Sequence, residues 1–125
     1  MSTSVSGAEV PGPAAEFKAD TVREGNTAVC VLSGDLHDGT RELGRRALEG
    51  ALDARPALLA VDLGAVELFT AAGLNLLLTL RETARTREVP LGLISPSASV
   101  RRVLDLTGVA AGTFSIHSTM REAAH

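Results

Sequence analysis

Leu58-Leu59-Ala60-Val61-Asp62-Leu63, followed after a turn by Leu68-Phe69-Thr70-Ala71-Ala72-Gly73-Leu74, decides how this chain folds. The first run is almost continuously apolar, which predicts a strand over Ala57 to Leu63 that is buried on both faces, as in a parallel sheet. The second opens a leucine-rich segment with helical character, expected from about Ala71 to Arg85. Small residues and a glycine on the first turn of a helix leave backbone N–H groups open to an anion or to the close approach of a partner. The two residues that begin this helix are alanines, so neither supplies a hydroxyl for nucleophilic attack or phosphorylation.

Upstream, Met1 to Glu16 is rich in Ser, Gly, Pro and Ala without periodicity and reads as a disordered tail, leaving residues 17–125 as one domain. Phe17, Ala19 and Val22 alternate loosely with polar residues up to Gly25-Asn26, a glycine-first pair suited to a two-residue hairpin turn. Thr27 to Leu32 follows as the antiparallel partner strand. Ser33 to Gly39 reads as a polar loop. Thr40 then stands where a cap belongs, before a helix in which Leu43, Ala47, Leu48, Ala51 and Leu52 recur at helical spacing.

Downstream, Leu74, Leu76, Leu77, Leu78 and Leu80 offer more apolar surface than one core-facing stripe requires, so part of it is a candidate contact face. Leu91 to Ile94 is a further buried strand. A short helix from Ala98 to Leu106 follows, with Val100, Val103 and Leu104 inward and Gly108 as its stop. Thr113 to Ile116 forms the last strand, and Ser118 caps a brief terminal helix. The order strand, strand, helix, strand, helix, strand, helix, strand, helix predicts an α/β fold with a mixed sheet of four to five strands, parallel wherever a helix intervenes.

Composition removes several classes of function. The 125 residues carry a net charge of -3, from 15 acidic and 12 basic side chains in mixed order, with no basic block to follow a nucleic-acid backbone. The single Cys30 sits inside a strand pattern as a small hydrophobe, consistent with a reducing, cytoplasmic setting. No stretch suggests a membrane span. His37, His117 and His125 lack metal-ligand spacing, and Asp35, His37 and Asp38 on one loop supply no defined ligand geometry. Phosphate-binding and hydrolase motifs are missing, so neither a cofactor nor enzyme activity is expected.

Three stretches resemble the STAS domain family, in particular its free-standing anti-sigma factor antagonists. Val31-Leu32-Ser33-Gly34-Asp35-Leu36 is similar to the family's Leu-x-Gly-Glu-Leu-Asp. Val61 to Phe69 running into Gly73-Leu74 is similar to its Asp-Leu-Ser-Gly-Val and Asp-Ser-Ser-Gly-Leu. Ser95 to Gly108 is similar to the segment before its last strand. The resemblance implies a STAS fold and a partner switch: an antagonist binds an anti-sigma factor that is also a serine kinase, and phosphorylation of a serine before the second helix breaks the complex. The physical basis is the charge of about -1.5 to -2 that a phosphate adds to a close-packed surface.

Two departures sit at the centre of that mechanism. The phosphoacceptor serine of the family falls on Ala71, leaving Thr70 as the only adjacent hydroxyl and a secondary candidate phosphoacceptor, although its position is that of a helix cap. His37 replaces the aspartate of Gly-Glu-Leu-Asp, exchanging a partner-facing acid for a group that titrates near neutral pH. The resemblance therefore implies a contact face of Asp35, His37, Thr40, Phe69, Thr70, Ala71, Ala72, Gly73 and Leu74. The expected partner is an anti-sigma factor of the serine-kinase type, met without the standard serine switch. The alternative is a module that senses a nucleotide or another small anion at the start of the second helix. Self-association is left open.

Overall fold

The computed structural model describes residues 16–107 and 114–117. Five strands, β1 (Lys18–Glu24), β2 (Thr27–Leu36), β3 (Leu58–Phe69), β4 (Leu91–Ile94) and β5 (Ser115–His117), lie side by side in chain order. β1 and β2 form the expected antiparallel hairpin, turned by Gly25 at φ +64, and every later pairing is parallel. The helices α1 (Arg41–Asp53), α2 (Ala71–Thr86) and α3 (Ala98–Thr107) make the crossovers. Strands added steadily in one direction through right-handed crossovers place their helices on one face. One core accordingly unites Leu48 and Leu52 of α1, Leu77 and Leu80 of α2 and Val100 and Leu104 of α3 with Cys30, Leu32, Val61 and Leu93 of the sheet. The opposite face carries a smaller cluster of Val29, Ala60 and Ile94. The Cys30 thiol is pushed up in pKa by its burial, as a packed hydrophobe should be.

Two expected boundaries move. β2 runs on to Leu36 through the segment read as a loop, and β3 runs on to Phe69 through the segment read as a turn. The cause is a pair of bulges on β3. Val31 lies opposite Asp62 while Ser33 lies opposite Ala65, and Gly34 lies opposite Val66 while Asp35 lies opposite Leu68, so β3 holds an extra residue at each step. Burial beyond Leu63 then falls on Val66 and Phe69, three apart instead of two. A period-two pattern cannot reveal such a strand.

Beyond Asp62, where β4 no longer runs beside it, the backbone of β3 finds partners in Asp62 itself and in Ser97 and Ser99 at the start of α3. The Leu63 carbonyl accepts from the Ser97 amide at 3.2 Å, and the Gly64 amide donates to the Asp62 carboxylate at 2.9 Å. The Val66 carbonyl accepts from the Ser97 hydroxyl at 2.6 Å, and the Glu67 carbonyl from the Ser99 hydroxyl at 2.7 Å. The serines of Ser95 to Ser99 thus complete the hydrogen bonding of β3, as buried or partly buried backbone requires.

Two side-chain expectations are corrected. Leu43, placed on the inner stripe of α1, is 54% exposed; the helix buries Gly44, Leu48, Ala51 and Leu52 instead. Gly44 lies where α1 crosses α2, and a β-carbon there would lie 2.9 Å from Leu76 Cδ2, so the tip of that leucine would have to shift. The surplus leucines of α2 need no partner: Leu74, Leu76, Leu77 and Leu80 are all buried and Leu78 packs against the core from its edge. Contacts with α1 and α3 on either side account for the width of that apolar surface. Val103 is only partly buried beside Val100 and Leu104. The tail as far as Ala15, the stop at Gly108, the strand start at Thr113 and the terminal helix lie outside the described residues.

Gly34 secures the end of β2. It sits at φ +92, and a β-carbon would lie 2.2 Å from the Glu16 carbonyl oxygen, where the chain enters β1. Backbone cannot yield as a flexible side chain can. Gly34→Ala should therefore lower stability by about 2 kcal/mol or more, read as a shifted urea midpoint at unchanged slope. On the outer face of α1, Glu42 bonds to Arg45 and Arg46, and Arg45 also reaches Glu49 at 2.8 Å. The Arg45 guanidinium, chiefly through its hydrogen bonds and then with Arg46, lowers the Glu42 carboxyl to about 2. An NMR titration should place Glu42 well below the ordinary carboxylate range, and Arg45→Gln should return it upward. Because the folded value is the depressed one, the favourable contribution is present above the unfolded pKa and disappears as pH falls through about 2.

Candidate partner-binding shoulder

At the C-terminal ends of β2 and β3 the chain makes a compact shoulder from two adjoining pieces, His37 to Thr40 and Thr70 to Leu74. Their junction is the carbonyl of Leu36. It accepts from the Thr70 amide at 3.2 Å and from the Thr70 hydroxyl at 3.3 Å, while Leu36 itself lies opposite Phe69 in the sheet. Thr70 is the N-cap of α2 by position, in extended conformation, but its hydroxyl makes no capping bond. The side chain expected to satisfy a helix N–H instead ties the helix start to the neighbouring strand. No other side chain caps that turn, and no acidic residue lies in it.

The first piece is ordered by Thr40. Its hydroxyl accepts from the His37 amide at 3.1 Å and donates to the Asp35 carbonyl at 2.7 Å. Here too the capping position is right and the capping bond is not made. His37 turns back over the loop, its Nδ1 accepting from the Gly39 amide at 2.9 Å, which leaves the ring proton on Nε2. A side chain at Gly39 has no room, since a β-carbon would meet the His37 ring at 2.9 Å. His37 and Thr40 remain half-buried and Asp38 is exposed, so this loop is rigid yet reachable.

The second piece divides into residues that face outward and residues that hold it in place. Ala71 is exposed and Thr70 half-buried. Phe69, Ala72, Gly73 and Leu74 are buried, as is Asp35, which is the one buried charged side chain among the described residues. These five belong to the expected contact face by position, but their side chains lie beneath it. Gly73 shows why: a β-carbon there would sit 2.7 Å from Phe69 Cε1 and 3.1 Å from Leu36 Cγ, so the bare backbone of α2 rests directly on the strand ends. The sequence reading missed Leu68, which lies opposite Asp35 and is 45% exposed because the second bulge turns it outward. The three-residue spacing of Leu63, Val66 and Phe69 was the signal for it.

Chemically, the surface is sparse. Among the described residues no three His, Cys, Asp or Glu side chains gather to hold a metal ion. No described helix is long and apolar enough to cross a membrane. What the shoulder offers is shape, backbone N–H groups at the start of α2, the exposed carboxylate of Asp38 and a few uncharged side chains.

The family model described as "Mlab, STAS domain" matches residues 19–117, well over half of the chain. The chain belongs to the STAS domain family. Its fold is shared with the anti-sigma factor antagonist from Mycobacterium paratuberculosis, at 24% identity and TM-score 0.79 over 87% of this chain and 92% of that one. It is shared with the Bacillus cell fate determinant SpoIIAA in its phosphorylated form, at 21% identity and TM-score 0.63 over 87% and 96%. A STAS domain protein from Planctomyces limnophilus matches at 20% identity and TM-score 0.68 over 84% and 93%. No curated protein sequence matches the chain. Identities this low establish a common architecture, and the STAS shoulder must be judged on its own residues.

The packing makes opposite predictions for neighbouring positions. Gly73→Ala should cost about 1 to 3 kcal/mol in urea unfolding, because neither the Phe69 ring nor the Leu36 side chain has space to move away. Ala71→Ser, at an exposed position two residues earlier, should stay within about 0.5 kcal/mol of the parent. A partner-binding test built on Gly73 would confuse docking with folding, whereas one built on Ala71 would not.

Proposed function

We propose that this STAS protein is a non-catalytic regulatory binding module. It engages an anti-sigma factor of the serine-kinase type through the shoulder, and so influences sigma-factor-dependent transcription, without a serine phospho-switch. The observation that carries this reading is the exposed, uncharged Ala71 on the first turn of α2, at the position where the family motif Asp-Ser-Ser-Gly-Leu places its phosphoacceptor. A methyl group there leaves the helix start open to close approach and removes the atom to which a kinase would transfer phosphate. Thr70, the adjacent hydroxyl, donates to the Leu36 carbonyl, which supports a structural role for it in place of phosphate acceptance. In the absence of a covalent switch, binding is governed by the concentrations and affinities of the two proteins.

His37, Thr40, Leu68, Thr70 and Ala71 supply the accessible part of the face, and Asp35, Phe69, Ala72, Gly73 and Leu74 set its shape from below. Family membership and the likeness to anti-sigma factor antagonists support this assignment. So does the rigidity of the shoulder, since a preformed surface loses little conformational entropy when a partner docks.

Calorimetric titration against the kinase-type anti-sigma factors encoded in the same genome tests the proposal. One of them should bind, Ala71→Glu should weaken that complex at least tenfold with the melting temperature unchanged, and incubation with the kinase and ATP should add no phosphate by mass. Absence of binding to all of them, or an affinity indifferent to Ala71→Glu, would contradict it.

A further inference from the structure

β1 is the outer strand of the sheet, and nothing among the described residues pairs with its far edge. Its residues other than Ala19 are exposed, including Val22 at 49%. We infer that this edge pairs with β1 of a second copy of the chain, antiparallel about a two-fold axis at Thr21, extending the sheet across the dimer.

The register follows from the backbone. Glu24 and Thr27 flank the two-residue turn, so they form a hydrogen-bonded pair. The alternation of an antiparallel ladder then directs the amides and carbonyls of Lys18, Asp20, Val22 and Glu24 toward β2. Those of Ala19, Thr21 and Arg23 point outward, and β1 and β2 pair without a register shift that would disturb this pattern. A two-fold antiparallel pairing must set outward residues opposite outward residues. Centring on Asp20 places that aspartate against its own copy, and centring on Val22 places Asp20 against Glu24, both like-charge contacts. Centring on Thr21 sets Lys18 against Glu24 at both ends of the ladder, Ala19 against Arg23 and Thr21 against itself. Opposite charges on facing strands stabilise a pair and like charges oppose it. Centring on Arg23 sets that arginine against its own copy, and centring on Ala19 pairs Lys18 with Asp20 but leaves only residues 18–20 of the strand in the ladder, so charge together with ladder length selects the Thr21 register.

The helix side of the edge is clear enough for that approach. Between β1 and α1 lies a shallow trough of about 250 Å³, floored by the small residues Ala47, Gly50 and Ala54 beside Thr21 and Arg23. A β-carbon at Gly50 would meet nothing within 4 Å. β1 contains neither proline nor a bulge to block its edge, and its four charged residues are of mixed sign, so a second copy in the Thr21 register can match them.

Sedimentation velocity on the full chain and three variants tests the pairing. The parent should dimerise, Lys18→Glu and Glu24→Lys should each raise the dimer dissociation constant at least tenfold, and the double exchange should restore it. Circular dichroism and melting temperature should show that each variant is folded, since both side chains are exposed. A parent that stays monomeric at high micromolar concentration would overturn the inference. So would a dimer indifferent to both single exchanges, which would have to be held by another face, or a double exchange that fails to recover association.

Discussion

The carbonyl of Leu36 is the point on which the working end of this molecule depends. It belongs to the last residue of β2, yet it receives both the amide and the hydroxyl of Thr70, the residue that ends β3's course and begins α2. Two donors from one residue converging on one acceptor fix the helix start relative to the sheet in distance and in direction. Gly73 completes the joint by letting Phe69 and Leu36 pack against bare helix backbone. That joint holds the start of α2, while the His37 to Thr40 loop beside it is tied down by the Thr40 hydroxyl and the His37 ring.

The bulges of β3 make the joint reachable. Without the two extra residues, β3 would end out of step with β2 and Phe69 would not stand opposite Leu36. Past the end of β4, the carbonyls of Leu63, Val66 and Glu67 are met instead by Ser97 and Ser99 at the start of α3. A segment remote in sequence therefore stabilises the geometry of the shoulder. The Ser-rich stretch before α3 has a structural reason to exist apart from any contact with a partner.

Much of this architecture was legible in the sequence, and the failures have identifiable physics. Strand and helix order, the parallel sheet, the Gly25 turn and the start of α2 at Ala71 follow from periodicity and turn chemistry, both local properties. The length of β3 does not, because the period-two signal on which strand reading rests is erased wherever an extra residue enters one strand. Leu43 looked buried because its spacing matched Ala47 and Leu48, but which flank of α1 meets the sheet is set by the fold and is not a local property. Thr40 and Thr70 occupy capping positions, but their hydroxyls are taken by Asp35 and Leu36, acceptors that only the folded chain brings near. The expected contact face was read as one set of residues, while its division into half-buried His37, Thr40 and Thr70 and exposed Ala71 over buried Asp35, Phe69, Ala72, Gly73 and Leu74 required three dimensions.

The proposed docking of a protein partner on the shoulder around Ala71 is tested by amide chemical-shift mapping of the labelled chain, titrated with a kinase-type anti-sigma factor from the same genome. Perturbations should concentrate on His37 to Thr40 and Leu68 to Ala72 and spare the outer turns of α1 and the far end of α2. Shifts confined to those outer helical surfaces, with the shoulder unmoved, would contradict it.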